Sequence, residues 1–178
     1  MDRIHTPALD TATGATAEIY GQLKKTIGSV PNTFAAIGAH GPAALKAVLA
    51  AEGVLAAGNL GKKDLETIKL VVSVSAGCDY CVAAHSLLGK MAGLDQDMLR
   101  NIRNGAPTGD ARRDVLIDLV RTLATTSGTI PSVQFEAVKD AGYSDADLVE
   151  ISLTVALTAF TNVFNRINDT TVDFPAVA

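Results

Sequence analysis

A chain of 178 residues with 48% hydrophobic side chains and a mean hydropathy of +0.25 suits one domain with a sizeable core, or two small halves sharing one. A net charge of −4 without a basic run argues against nucleic acid and anionic membrane surfaces as main partners. The apolar surplus points to burial against further copies of the chain, so a homo-oligomer is expected.

In chain order, the opening MDRIHTPALDTATG is polar and lacks the apolar core of a secretion signal. It is expected to be mobile, and His5 within it receives no role. Pro31-Asn32, Gly41-Pro42, Gly58-Asn59, Gly61, Gly105-Ala-Pro107, Gly128 and Gly142 punctuate segments rich in Ala, Leu and Lys, with no Asn-Gly or Asp-Gly hairpin turn. This pattern predicts an all-α protein. Asn32 is expected to cap a helix, and His40, before Gly41, to end one where the helix dipole favours it.

Residues 68–76, IKLVVSVSA, are rich in β-branched side chains and read as either strand or helix. A strand entering Cys78-x-x-Cys81 and then a helix would be the thioredoxin arrangement. Further on, Asp110 is expected to cap the helix RRDVLIDLV. TIPS around Pro131 faintly resembles the thioredoxin proline, yet SVQFEAVKDAGY after it reads as helix. Ser144 and Asp147 have capping-box spacing. Residues 145–168 contain neither Gly nor Pro, far beyond a usual strand of about 5–6 residues, and so form a helix. The longest uncharged apolar stretch, 151–165, falls short of the roughly 18 residues of a membrane span and holds Ser, Thr and Asn. The expectation is a cytoplasmic protein with no membrane partner.

Residues 63–85 and 147–169 align at an offset of 84. Glu66 falls on Glu150, Val71 on Val155, Cys78 on Asn162, Tyr80 on Phe164, Cys81 on Asn165 and His85 on Asp169. This reads as a diverged duplication within a single domain, 1–178, with repeats at about 42–104 and 110–170. Only the first copy carries cysteines. Because the second copy is a long helix, the first is expected to be helical too, over 62–76, then Gly77, then a new helix from Cys78 or Asp79. Asn162, Asn165 and Arg166 are read as buried polar groups that line the pseudo-symmetric site or hold the subunit together, structural duty being favoured over catalysis.

On a helix starting near Cys78, at about 100° per residue, Cys78, Cys81 and His85 share an arc of roughly 60°. Free N–H groups and positive partial charge at a helix start favour thiolate over thiol. An imidazole four residues along can take the proton, and Glu66 is the nearest carboxylate in sequence that could orient it. Proximity to the helix start would favour Cys78 as nucleophile. The histidine favours Cys81, which is taken as the attacking thiolate, with Cys78 resolving.

Other readings stand beside this one. The cysteines could be small buried hydrophobes. A zinc site needs four ligands, and two Cys with His85 would need completion across an oligomer. Haem attachment needs histidine where Val82 stands. Glu66 could instead pair with Lys62 or Lys69.

The pattern Glu66-x11-Cys78-x2-Cys81-x3-His85, within a segment reading PNTFAAIGAHGPAALKAVLAAEGVLAAGNLGKKDLETIKLVVSVSAGCDYCVAAH, resembles the core motif of AhpD-like alkylhydroperoxidases in the carboxymuconolactone decarboxylase superfamily. DLVEISLTVALTAFTNVFNRIND resembles the closing helix of its peroxidase-related members. The resemblance spans about residues 31–169. It implies an all-helical, internally pseudo-twofold fold, a homotrimer or homohexamer, and reduction of organic hydroperoxides or hydrogen peroxide. By it, Cys81 matches the peroxidatic cysteine, Cys78 the resolving one, and Glu66 and His85 the proton relay. No bound cofactor or metal is implied. An external dithiol, lipoyl or thioredoxin-like, would be the reductant. Tyr80 departs from members with histidine before the second cysteine, because a phenol of pKa about 10 is no base near neutral pH. A disulfide oxidoreductase using the same pair, a decarboxylase-like enzyme or a binding module on this scaffold are the alternatives.

Overall fold

The computed structural model describes residues 2–176, and among these it is all helical: a short 3-10 turn, Leu9–Thr11, then α1 (Gly14–Ile27), α2 (Asn32–His40), α3 (Pro42–Ala56), α4 (Lys62–Ala76), α5 (Asp79–Ala92), α6 (Gln96–Asn104), α7 (Ala111–Thr125), α8 (Ser132–Asp140) and α9 (Asp145–Asn168). The ambiguous segment 68–76 lies within α4, so the thioredoxin topology is absent. Its β-branched run has a physical explanation. α4 is the central helix, packed against α5, α7 and α9, and Leu65, Ile68, Leu70, Val71 and Val72 are all buried. A helix enclosed on every side shows no polar face, so its sequence mimics a buried strand.

Two apolar clusters form the core. The larger joins α4 to Leu99, Ile102, Leu116, Val120, Val138 and Ile151 of the helices after the cysteines and to Tyr143 of the loop between α8 and α9. The smaller joins Ile19, Tyr20 and Leu23 of α1 to Ala35, Ile37 and Leu45. Asp110 accepts from the Arg113 N–H, and Ser144 with Asp147 forms a full capping box, both as expected. His40 occupies the last turn of α2. Asn32 does not cap α2. Pro31 takes that position, and the Asn32 side chain donates instead to the Thr171 carbonyl. The N-terminal start is also not free. Arg3 N–H donates to the Asn168 carbonyl, Ile4 N–H to Asn168 Oδ1, and the His5 carbonyl meets His40 Nε2 at 2.8 Å.

α9 is inverted relative to an ordinary surface helix. Its buried face carries Thr154, Thr158, Asn162, Asn165 and Asn168, while Val149, Phe160, Val163 and Ile167 are exposed. Those four apolar residues share an arc of about 60°. α9 is also long and apolar enough to cross a membrane, with a mean hydropathy of 1.4 over its best 18-residue window. The sequence reading, confined to 151–165, underrated that length. Within this fold the polar face of α9 is buried, packed mainly against α4, and the apolar stripe faces outward.

Candidate active site

The site is built where α4 stops. Gly77 adopts φ 64° and ψ 39°, and its N–H bonds back to the α4 carbonyls. That left-handed turn suits glycine, which lacks the Cβ that clashes there. Cys78 follows in extended conformation and is the N-cap of α5, its sulfur accepting from the Cys81 N–H at 3.3 Å. Cys78 N–H in turn donates to the Ser73 carbonyl. A helix therefore begins within the Cys-x-x-Cys segment. The two cysteines form a disulfide with their Cα atoms 5.3 Å apart, and each is only 3% exposed.

Glu66 on α4 and His85 on α5 meet through a 2.9 Å contact between Oε2 and Nδ1. Lys69 lies 3.7 Å from the other Glu66 oxygen and 2.7 Å from Glu52. The relay partner and the lysine partner anticipated for Glu66 are thus both present, while Lys62 is not among its partners. Burial pushes the Glu66 carboxyl upward, but the hydrogen bond and charge of His85, with Lys69, outweigh it and hold the group below the ordinary carboxylate value. With Nδ1 committed to the carboxylate, Nε2 is the nitrogen left for proton exchange. Among the described residues His85 makes no hydrogen bond to either sulfur.

Tyr80 is buried, its hydroxyl accepts from the Thr33 N–H at 3.3 Å, and its ring stands edge-on to Phe174 with centroids 5.3 Å apart. Burial above all, with Asp173 adding, pushes its phenol well above the ordinary tyrosine value. It stays protonated at neutral pH and acts as a packing and hydrogen-bonding residue. Phe174 packs against the buried cluster formed by Tyr80, Cys78 and Cys81.

Two contributors, Thr33 and Phe174, escaped the sequence reading, and a third, Asn165, was read as lining the site or, with preference, as structural. Asn165 donates from Nδ2 to Cys81 Sγ at 3.2 Å. Thr33 on α2 donates its hydroxyl to Asn165 Oδ1 at 2.8 Å. Phe174 comes from the tail. The only sequence signal among these was the offset of 84, which puts Asn165 in register with Cys81.

The other positions in that register serve differently. Glu150 accepts from the Asn59 and Leu60 N–H groups, and a Cβ on Gly58 would lie 2.5 Å from its carboxylate. Glu150 therefore pins the loop before α4. Asn162 Oδ1 bonds Ser73 Oγ, and its Nδ2 has no partner among the described residues. Arg166 is exposed, contrary to its reading as buried. Asp169 ends α9 in the left-handed conformation and lies 3.8 Å from Arg3. Where Gly77 breaks the first copy, Thr161 continues α9 unbroken, so Asn162 and Asn165 sit mid-helix without a helix start beside them. Among the described residues no group of three or more His, Cys, Asp or Glu side chains is arranged to hold a metal ion.

The sequence profile of the carboxymuconolactone decarboxylase family matches residues 42–115, a stretch that includes Glu66, Cys78, Cys81 and His85. No curated protein matched the sequence. Among solved structures, a peroxidase-related protein with an alkylhydroperoxidase AhpD core from Ralstonia eutropha JMP134 superposes with a TM-score of 0.86 at 20% identity, over 97% of this chain and 92% of the other. A peroxidase-related protein from Silicibacter sp. TM1040 gives 0.79 at 22% identity, over 95% and 92%. The debrominase Bmp8, as a cysteine-to-alanine variant with 2,3,4-tribromopyrrole, gives 0.80 at 16% identity, over 97% and 93%. Residues 42–115 thus match the carboxymuconolactone decarboxylase family model, and the chain has the AhpD-like helical fold.

Proposed function

We propose that the protein is a thiol peroxidase that reduces organic hydroperoxides or hydrogen peroxide. The observation that carries this reading is the bonded Cys78–Cys81 pair at the start of α5, with the Glu66–His85 pair one turn along. The Cys81 thiolate attacks one oxygen of the peroxide. The O–O bond breaks, Cys81 becomes a sulfenic acid, and the departing alkoxide takes a proton through His85 to leave as an alcohol, or as water from hydrogen peroxide. The Cys78 thiol then displaces hydroxide from the sulfenic sulfur, and a proton completes the water that leaves with the new disulfide. An external dithiol reduces the disulfide by two thiol–disulfide exchanges and is itself oxidised to a disulfide. Glu66 keeps His85 in the tautomer whose Nε2 exchanges the proton.

Burial of both cysteines, each 3% exposed, supports a small peroxide over a folded protein thiol as the oxidising substrate, which weighs against a protein disulfide oxidoreductase. The reductant, a lipoyl or thioredoxin-like dithiol, must gain access to a buried pair. The outward apolar stripe of α9, Val149, Phe160, Val163 and Ile167, supports burial between subunits of a homo-oligomer, a trimer or hexamer. A cytoplasmic location with reducing partners would keep the pair cycling.

The test is peroxide consumption with several dithiol donors, a lipoyl protein included. Cys81→Ser should abolish turnover. Cys78→Ser should stop turnover yet permit one sulfenylation per chain. Full turnover by Cys81→Ser would refute the assignment. Unchanged function after replacement of both cysteines by alanine would point to decarboxylase-like chemistry on the same scaffold.

A further inference from the structure

The sequence places Cys78 and Cys81 almost equivalently at the start of α5, and both are equally buried. The surrounding fold is not symmetric about them. Cys81 Sγ receives the Asn165 Nδ2 donor at 3.2 Å, whereas Cys78 Sγ receives the Cys81 backbone N–H at 3.3 Å. Asn165 is 4% exposed and lies 84 residues from Cys81, on a helix outside the Glu66-to-His85 motif.

The orientation of this carboxamide is set by Thr33. Its hydroxyl donates to Asn165 Oδ1 at 2.8 Å, which turns the NH2 group towards sulfur. The reverse orientation would set the amide oxygen against the sulfur lone pairs and leave a buried donor without an acceptor. Thr33 is itself fixed, because its N–H donates to the Tyr80 hydroxyl. Three elements, α2, α5 and α9, thus hold one donor on one sulfur.

A thiolate in a site closed to water is stabilised by whatever donors the protein aims at it. Among the described residues the Asn165 amide is the one side-chain donor to Cys81 Sγ. The titratable groups nearby have other partners: His85 and Glu66 bond each other, Tyr80 takes the Thr33 N–H, and Asp173 accepts from the Asn32 N–H. We propose that Asn165, oriented by Thr33, stabilises the thiolate of Cys81 and thereby selects Cys81 over Cys78 as the attacking sulfur. This deepens the peroxidase reading and rests on its redox use of the pair.

The experiment measures iodoacetamide alkylation of the reduced protein against pH, in a Cys78→Ser background where Cys81 is the only thiol. Asn165→Leu should move the half-maximal pH up by about one unit, since a hydrogen bond to a charged group is worth about that much. Asn165→Asp, isosteric but anionic, should move it further. Thr33→Val, which frees the amide to turn, should move it in the same direction by less. Circular dichroism melts identify the folded variants, and the aspartate and valine changes serve if the leucine variant does not fold. An unmoved curve in a folded Asn165 variant overturns the proposal. Peroxide consumption by the wild type is measured separately. Its absence would refute the peroxidase reading while the alkylation curves still decide the role of Asn165.

Discussion

Replacing Glu66 by glutamine removes one charge and keeps the shape of the relay. In the native protein the carboxylate is bonded to His85 at 2.9 Å, lies 3.7 Å from Lys69, and its side chain is 13% exposed. A hydrogen bond to a charged group contributes about 1.5–3 kcal/mol, and burial of the carboxylate takes part of that back, leaving about 1 kcal/mol. The carboxyl is held below its ordinary value in the folded state. Its contribution is therefore complete above the unfolded-state value, about 4.3, and is lost as pH falls through the lower folded-state value. Urea denaturation should show Glu66→Gln less stable than wild type by about 1 kcal/mol at pH 7. The gap should close in the acid range, where the native carboxyl is protonated and resembles the amide. Peroxide turnover at pH 7 should drop by about 10²-fold, because glutamine can present an amide donor to Nδ1 and no longer fixes the tautomer. A stability gap that stays constant from pH 7 down to pH 3 would refute the charge argument. Undiminished turnover would refute the relay.

Gly77→Ala should cost about 1–2 kcal/mol in urea denaturation, purely from the left-handed backbone, because no atom lies within 4 Å of the added Cβ; a neutral effect would mean the turn relaxes. Ile167→Glu, at the exposed apolar stripe of α9, should reduce the mass measured by light scattering to that of a single chain. A wild type that is already a monomer would contradict the subunit-burial reading of that stripe.

The motif was legible because its chemistry is local. Gly77, Cys78, Cys81 and His85 are close in sequence, and a helix start plus one turn fixes their relation without any long-range contact. Glu66 was legible only through the matched motif, and its helix through the second copy: residues 145–168 lack any breaker, and that settled the reading of IKLVVSVSA. Asn32 shows the opposite case. Its capping chemistry was a local expectation, but the tail at Thr171 offered the side chain another acceptor, and Pro31 took the cap. The N-terminal start looked mobile for the same reason, since the Asn168 groups that hold Arg3 and Ile4 are far away in sequence.

By itself the sequence determined the all-helical class, the helix break at the cysteines and the Cys–His–Glu set, because hydrophobic period, caps and i, i+4 spacing act within a few residues. Only the tertiary structure decided what surrounds the sulfurs. The Thr33–Asn165–Cys81 chain, the packing of Phe174 on Tyr80, and the inverted face of α9 join segments that lie 84 to 132 residues apart in sequence. Their partners are chosen by which buried donor finds which buried acceptor once α2, α5, α9 and the tail have packed, and no local pattern encodes that choice.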